Sequence, residues 1–316
     1  MKLKITTSTA IKPHWRQLSE LVTMGLADRI VALEEGAEIS LVDWGEFFGH
    51  LYVLLETPID GVDRGFIWRA HTAFESAAKP PLVAPTSHPV EPPKPKTLEE
   101  STGLKLSMDF PSRIVRYCLD KRYKLYTGTR ERNVIYLEGS DLDGRSNDDK
   151  ADHWNDLSCI ISFENGAPYF ALSPVKATTE PGQYYTDFPM SREGAFRISL
   201  GQHIDAWQVG RHGRDQHEAL VQTAPVTGHR DLNKDGARTG DKVVKGLYGI
   251  NQHGPYTSGR VGRSSAGCLV RASMSDHQRF MTLIKKDPRF EANRWSTFSA
   301  IVIDGSDFAK SKYGYG

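Results

Sequence analysis

The sequence predicts a mostly β protein of two domains: a small N-terminal β-barrel over 1–76, a proline-rich linker over 77–100, and a larger β-rich domain with short helices over 101–316. Three observations predict it. Short apolar runs alternate in the strand manner and are separated by Gly, Asn and Asp. A run of prolines interrupts the chain after about a quarter of its length. The 316 residues suffice for one good hydrophobic core and a smaller second one.

In the first module, Leu3–Thr7 and Glu38–Val42 alternate apolar and polar residues, Phe48 to Leu55 is an apolar aromatic run, and Arg64–Trp68 follows a turn at Asp60-Gly61. Trp15, Trp44 and Trp68 either pack in its core or line a groove, core packing being the commoner use of the indole. Between Lys79 and Lys96, Pro80, Pro81, Pro85, Pro89, Pro92, Pro93 and Pro95 remove the backbone donors that helix and sheet require, so this stretch reads as an extended linker.

The larger domain opens with apolar segments at Ser112–Leu119 and Asn133–Leu137 and an acid-rich loop from Gly139 to Asn155, which reads as solvated surface. Cys159–Phe163, the turn Glu164-Asn165-Gly166 and Tyr169–Leu172 form a hairpin pattern. Strands are expected at Phe196–Leu200 and Ala206–Val209, a short helix over Ser275–Lys286 capped by Ser273 or Ser275, a last strand over Phe298–Ile303, and a frayed end from Lys310 to Gly316.

Composition narrows the function. A net charge of +1 supplies no long-range field for nucleic acid or an anionic membrane, so neither is expected as a partner. No apolar run approaches the ~20 residues of a membrane-spanning helix, and the start Met1–Thr6 lacks the apolar core of a secretory signal. The three cysteines, Cys118, Cys159 and Cys268, leave at least one thiol free within a single chain. Cys118 and Cys159 sit in apolar runs and read as core.

The chemistry concentrates in Gly249-Ile250-Asn251-Gln252-His253-Gly254 and in Val261-Gly262-Arg263-Ser264-Ser265-Ala266-Gly267-Cys268-Leu269-Val270. A thiol attacks a carbonyl as thiolate, so Cys268 needs a proton acceptor, and imidazole titrates closest to neutrality, which singles out His253. Gly267 and Ala266 let a carbonyl approach backbone N–H groups. Ser265 would orient the loop or the imidazole, and Arg260, Arg263 and Arg271 would meet substrate carboxylates or solvent. Trp207 is a candidate lining residue.

His253-Gly254, the later Gly262 and Ser265-Ala266-Gly267-Cys268 resemble the signature of the L,D-transpeptidase catalytic domain, the YkuD-like family. Ala266 departs from the His often found there, and Val270 from the Arg or Asn two after the cysteine, with Arg271 one step late. The run Ala177–Tyr185 looks like the Thr-Pro-x-Gly-x-Tyr turn of such domains, with Glu180 as the departure, and the first module resembles bacterial Src-homology-type barrels. The resemblance implies cysteine-dependent acyl transfer or hydrolysis on peptidoglycan stem peptides. Cys268 and His253 are then catalytic, Gly267 and Ser265 support them, and Gly254, Arg263, Arg271 and Trp207 stand near the substrate. No cofactor is required, and the setting is the periplasm or cell wall.

Three other readings stay open. Asp231, Asn233 and Asp235 before Gly236 match the first half of a calcium loop, but Lys242 stands where the bidentate Glu belongs, and a simple Asx-rich turn explains the same residues. His229 and Asp231 with His253 or His217 would make a zinc peptidase site, though no tight paired-histidine motif is present. A non-catalytic wall-binding protein is the third possibility.

Overall fold

The computed structural model describes residues 2–12, 30–47, 50–74 and 102–314. The chain divides into two compact units, Met1–Lys94 and Pro95–Gly316. The expected linker over 77–100 and Trp15 lie outside the described residues.

In the first unit, β1 (Lys2–Ile5), β2 (Thr9–Ile11), β3 (Val31–Leu33), β4 (Glu38–Phe47), β5 (His50–Ile59), β6 (Val62–Trp68) and β7 (Thr72–Phe74) follow one another. The small barrel expected here takes the form of a five-stranded antiparallel sheet, ordered β6-β5-β4-β1-β7, and a β2–β3 pair. The pair is tied to the sheet by reciprocal backbone bonds between Lys12 and Phe66, at 2.9 and 2.8 Å. The alternation read from the sequence is what buries Leu3, Ile5, Ile39, Leu41, Leu51 and Val53 in one core. Trp68 is partly exposed rather than a core residue.

The second unit begins with α1 (Phe110–Asp120), started by the Asp109 carboxylate, which accepts from Ser112 N at 2.9 Å. Its buried Ile114, Val115, Tyr117 and Cys118 share one face. Then come β8 (Asn133–Glu138), β9 (Asp156–Glu164), β10 (Ala167–Thr178), α2 (Gln183–Asp187), β11 (Ala195–Ile198), β12 (Gly201–His212), β13 (His217–Gln222), β14 (Val226–Asp231), β15 (Lys242–Gly246), β16 (Gln252–His253), β17 (Leu269–Arg271), α3 (Met274–Ile284), α4 (Pro288–Ala292), β18 (Thr297–Asp304) and α5 (Gly305–Lys310).

Eight of these strands close into a barrel, in the order β10-β17-β16-β13-β12-β18-β8-β9, while β11, β14 and β15 form a separate antiparallel sheet. The β9–β10 hairpin turns where Asn165 and Gly166 both take positive φ, the geometry of a primed turn. Cys118 and Cys159 are sealed in the core as expected. The helix after the cysteine starts as expected at Ser273, whose hydroxyl accepts from Asp276 N.

Two expectations need correction. The acid-rich loop is not simply solvated: Asp152 is mostly buried, and its carboxylate accepts from Gly262 N at 2.7 Å and Gln183 N at 3.1 Å. The C-terminal end does not fray through residue 313. Tyr313 packs on the core beside α1 and donates to Asp120 at 2.7 Å, because an aromatic ring with a partnered hydroxyl gains more from docking than from solvent. Among the described residues no helix is long and apolar enough to cross a membrane.

Candidate active site

Strands β16 and β17 are only two and three residues long, but they run parallel and adjacent, with His253 opposite Val270 and Gln252 opposite Leu269. Cys268 stands directly before β17, two positions ahead of Val270, the register partner of His253. Both side chains line one cavity of about 470 Å³. Cys268 is itself buried, at 8% exposure, whereas Cys118 and Cys159 are 0% exposed and line no such cavity.

The imidazole has one ring nitrogen committed and, among the described residues, one without a partner. His253 Nδ1 lies 2.7 Å from the carbonyl of Gly254 and must donate to it, which leaves the Nε2 lone pair free. Burial, reinforced by the neighbouring His212, holds its pKa well below the ordinary imidazole value, so the ring is neutral at pH 7. Burial pushes the Cys268 thiol the other way, up to about 11, against the lowering influence of the Asn251 N–H that points at Sγ from 3.4 Å. Both groups therefore rest neutral, and the thiol donates to the Gly249 carbonyl at 3.5 Å.

A second imidazole packs on the first. His212, from β12, lies with its ring centroid 4.1 Å from that of His253 and 32° from parallel. Its tautomer is fixed by Asn251, whose side-chain oxygen accepts from Gln222 N at 2.8 Å, so its amide nitrogen must be the donor to His212 Nδ1, also at 2.8 Å. Burial then lowers the His212 pKa to about 4. Tyr256 completes this wall, 5.4 Å from the His253 ring. Sequence reasoning missed His212 and Asn251. Asn251 was legible, since it stands two residues before His253 and so shares its strand face; His212 was not, because β12 is forty residues away.

The loop before the cysteine is locked from below. Ser265 is fully buried; its hydroxyl donates to the Cys268 carbonyl at 2.8 Å and accepts from Gly267 N at 3.1 Å. Ser265 thus orients the loop, and the Gly267 N–H is occupied and not open to a substrate oxygen. Gly267 itself has φ +117°, and a Cβ there would overlap the Phe196 carbonyl. The Pro181-Gly182 turn docks on the same loop, Gly182 N donating to the Ser265 carbonyl at 2.9 Å. A side chain on Gly182 would collide with the Gly262 backbone, which accounts for glycine at position 182.

Three residues expected near substrate act elsewhere. Trp207 is fully buried in the barrel and donates from Nε1 to the Ile250 carbonyl at 2.7 Å, so it braces the strand that carries His253. Arg271 is also fully buried, its guanidinium 3.2 Å above the Phe280 ring. One residue of shift along β17 turns a side chain to the opposite face, and that places Arg271 inside the barrel. Gly254 is buried, and its carbonyl serves His253 rather than a ligand. Arg263 does line the cavity, exposed and stacked 3.9 Å over the Tyr184 ring.

The metal expectations find no converging ligands. Asp231 accepts from Gly236 N at 3.1 Å, Asn233 donates to Asp235 at 2.7 Å, and Asp235 accepts from Ala237 N at 2.7 Å, the pattern of an Asx-rich turn. His229 and Asp231 belong to the three-stranded sheet and His253 to the barrel. Among the described residues the one set of His, Cys, Asp or Glu with ligand atoms within 4.8 Å of each other is Glu138, Asp149 and Glu180, and it includes none of them. Glu138 is held bidentately by Arg238, and Glu180 pairs with Arg197, so that set is an ion-pair network.

No protein-family model, curated protein or solved structure matches this chain.

Proposed function

We propose that the larger unit is a cysteine acyltransferase or hydrolase of the L,D-transpeptidase type, acting on peptidoglycan stem peptides. The observation that supports it is that His253, in β16, and Cys268, directly before the adjacent parallel strand β17, line one cavity, with no hydrogen bond to the His253 Nε2 among the described residues. In this mechanism Nε2 takes the thiol proton as Sγ attacks the peptide carbonyl. The collapsing intermediate returns that proton to the leaving amine, and the thioester is then resolved by an amine or by water. With Gly267 N–H committed to Ser265, the Cys268 N–H is the donor that receives the oxyanion. The substrate class rests on the resemblance of the motif, and the setting at the cell wall follows from that substrate.

Alkylation of the native protein followed by mapping of the modified thiol tests the nucleophile. Cys268 should label while Cys118 and Cys159 stay protected, and Cys268→Ala should abolish turnover of purified muropeptides. Unchanged turnover in Cys268→Ala would remove the cysteine-enzyme reading, and wall binding without any turnover in the native protein would favour a binding module.

A further inference from the structure

The wall of the cavity away from the imidazoles carries a cation that the mechanism above does not use. Phe196 and Tyr248 pack with ring centroids 5.0 Å apart, and the Arg230 guanidinium lies over both, 4.7 Å from the Tyr248 centroid and 5.4 Å from that of Phe196. This group adjoins the nucleophile along two routes. Tyr248 directly precedes Gly249, whose carbonyl is 3.5 Å from the Cys268 sulfur, and the Phe196 backbone packs against Gly267.

The guanidinium is short of partners. Arg230 Nε is buried without a hydrogen-bond acceptor, and Nη1 reaches the Gly194 carbonyl only at 3.4 Å. The nearest carboxylate, Glu193, stands 4.0 Å from Nε, is about half exposed, and is bonded to Lys242. The cavity lining contains Arg230 and Arg263 and no Asp or Glu. A guanidinium packed over two aromatic rings, short of acceptors and on the lining of a cavity that carries no Asp or Glu, fits a carboxylate better than any neutral group.

The geometry points to Arg230 as the residue that anchors a free carboxylate of the peptide substrate beside the scissile carbonyl. This rests on the cysteine-enzyme reading and deepens it: the preferred substrate is a peptide carrying a carboxylate within about one residue of the bond attacked. That carboxylate is either the chain terminus or an acidic side chain. Guanidinium recognition is common to both, and the test separates them.

The experiment measures the rate at which Cys268 is alkylated by three probes: chloroacetyl-alanine, chloroacetyl-alaninamide, and chloroacetyl-glutamic acid α-amide. Each rate is divided by that of free cysteine with the same probe. In every case the Sγ–CH2 bond forms and chloride leaves. The expected result is a preference of about tenfold or more for a carboxylate probe over the neutral amide, the size expected of a charge-assisted hydrogen bond. Preference for the first probe identifies a terminal carboxylate, and preference for the third a side-chain carboxylate. Arg230→Gln should bring the ratio to about one, and an unchanged melting temperature shows that the site has folded. Arg230→Lys should keep part of the preference, and Glu193→Gln should keep or raise it. A ratio near one in the native protein, or a preference that survives Arg230→Gln, overturns the assignment and leaves the nucleophile intact. Failure of all three probes to label Cys268 overturns the cysteine-enzyme reading itself.

Discussion

Replacing Gly267 by alanine tests whether the loop before the cysteine is set by its contact with Phe196. Two costs arise together. The residue has φ +117°, where an L side chain is strained by about 1–3 kcal/mol. Its Cβ would also overlap the Phe196 carbonyl oxygen and come within 3.2 Å of both the Phe196 carbonyl carbon and Cβ, and relieving such overpacking typically costs about 1–3 kcal/mol. The sum, roughly 2–6 kcal/mol, would lower the melting temperature of a domain of this size by roughly 5–20 °C. Because β11 is held in its own sheet, the loop is the part that yields, and displacing the Cys268 N–H should lower kcat by about 10²–10³. Gly259→Ala is the control: Gly259 has φ +85° but nothing within 4 Å of its Cβ position, so it incurs strain without collision. Thermal denaturation of both variants, with turnover of a stem-peptide substrate, separates the two costs. If Gly267→Ala melts no lower than Gly259→Ala and keeps its kcat, the packing of this loop on Phe196 does not position the nucleophile.

Two further outcomes follow from the site. With the thiol raised to about 11 and His253 already neutral, alkylation of Cys268 by iodoacetamide should climb about tenfold per pH unit from pH 7 to 10; a rate flat across that range would reveal a thiolate–imidazolium pair. Asp152→Ala leaves the half-buried Gly262 N without its acceptor, at about 1–3 kcal/mol, while the exposed Gln183 N turns to water, so the domain should melt lower and kcat should fall while Cys268 remains reactive to small alkylators; an unchanged melting temperature would show that Asp152 does not hold the loop.

The sequence by itself determined the alternation of the strands, the hairpin at Asn165-Gly166, the Ser273 cap, the isolation of Cys118 and Cys159 in apolar runs, and the presence of an imidazole and a thiol in nearby glycine-containing segments. These are local facts, because period, turn chemistry and helix caps act over a few residues. Only the tertiary structure decided which distant side chains meet. It brought His212 from β12 onto His253, set Asp152 under the Gly262 loop and Arg230 over Tyr248, and turned Trp207 and Arg271 into the barrel. Each of these depends on strand register in a closed barrel or on sheets meeting around a cavity. A shift of one residue there reverses the face a side chain occupies, and no short window of sequence encodes that choice.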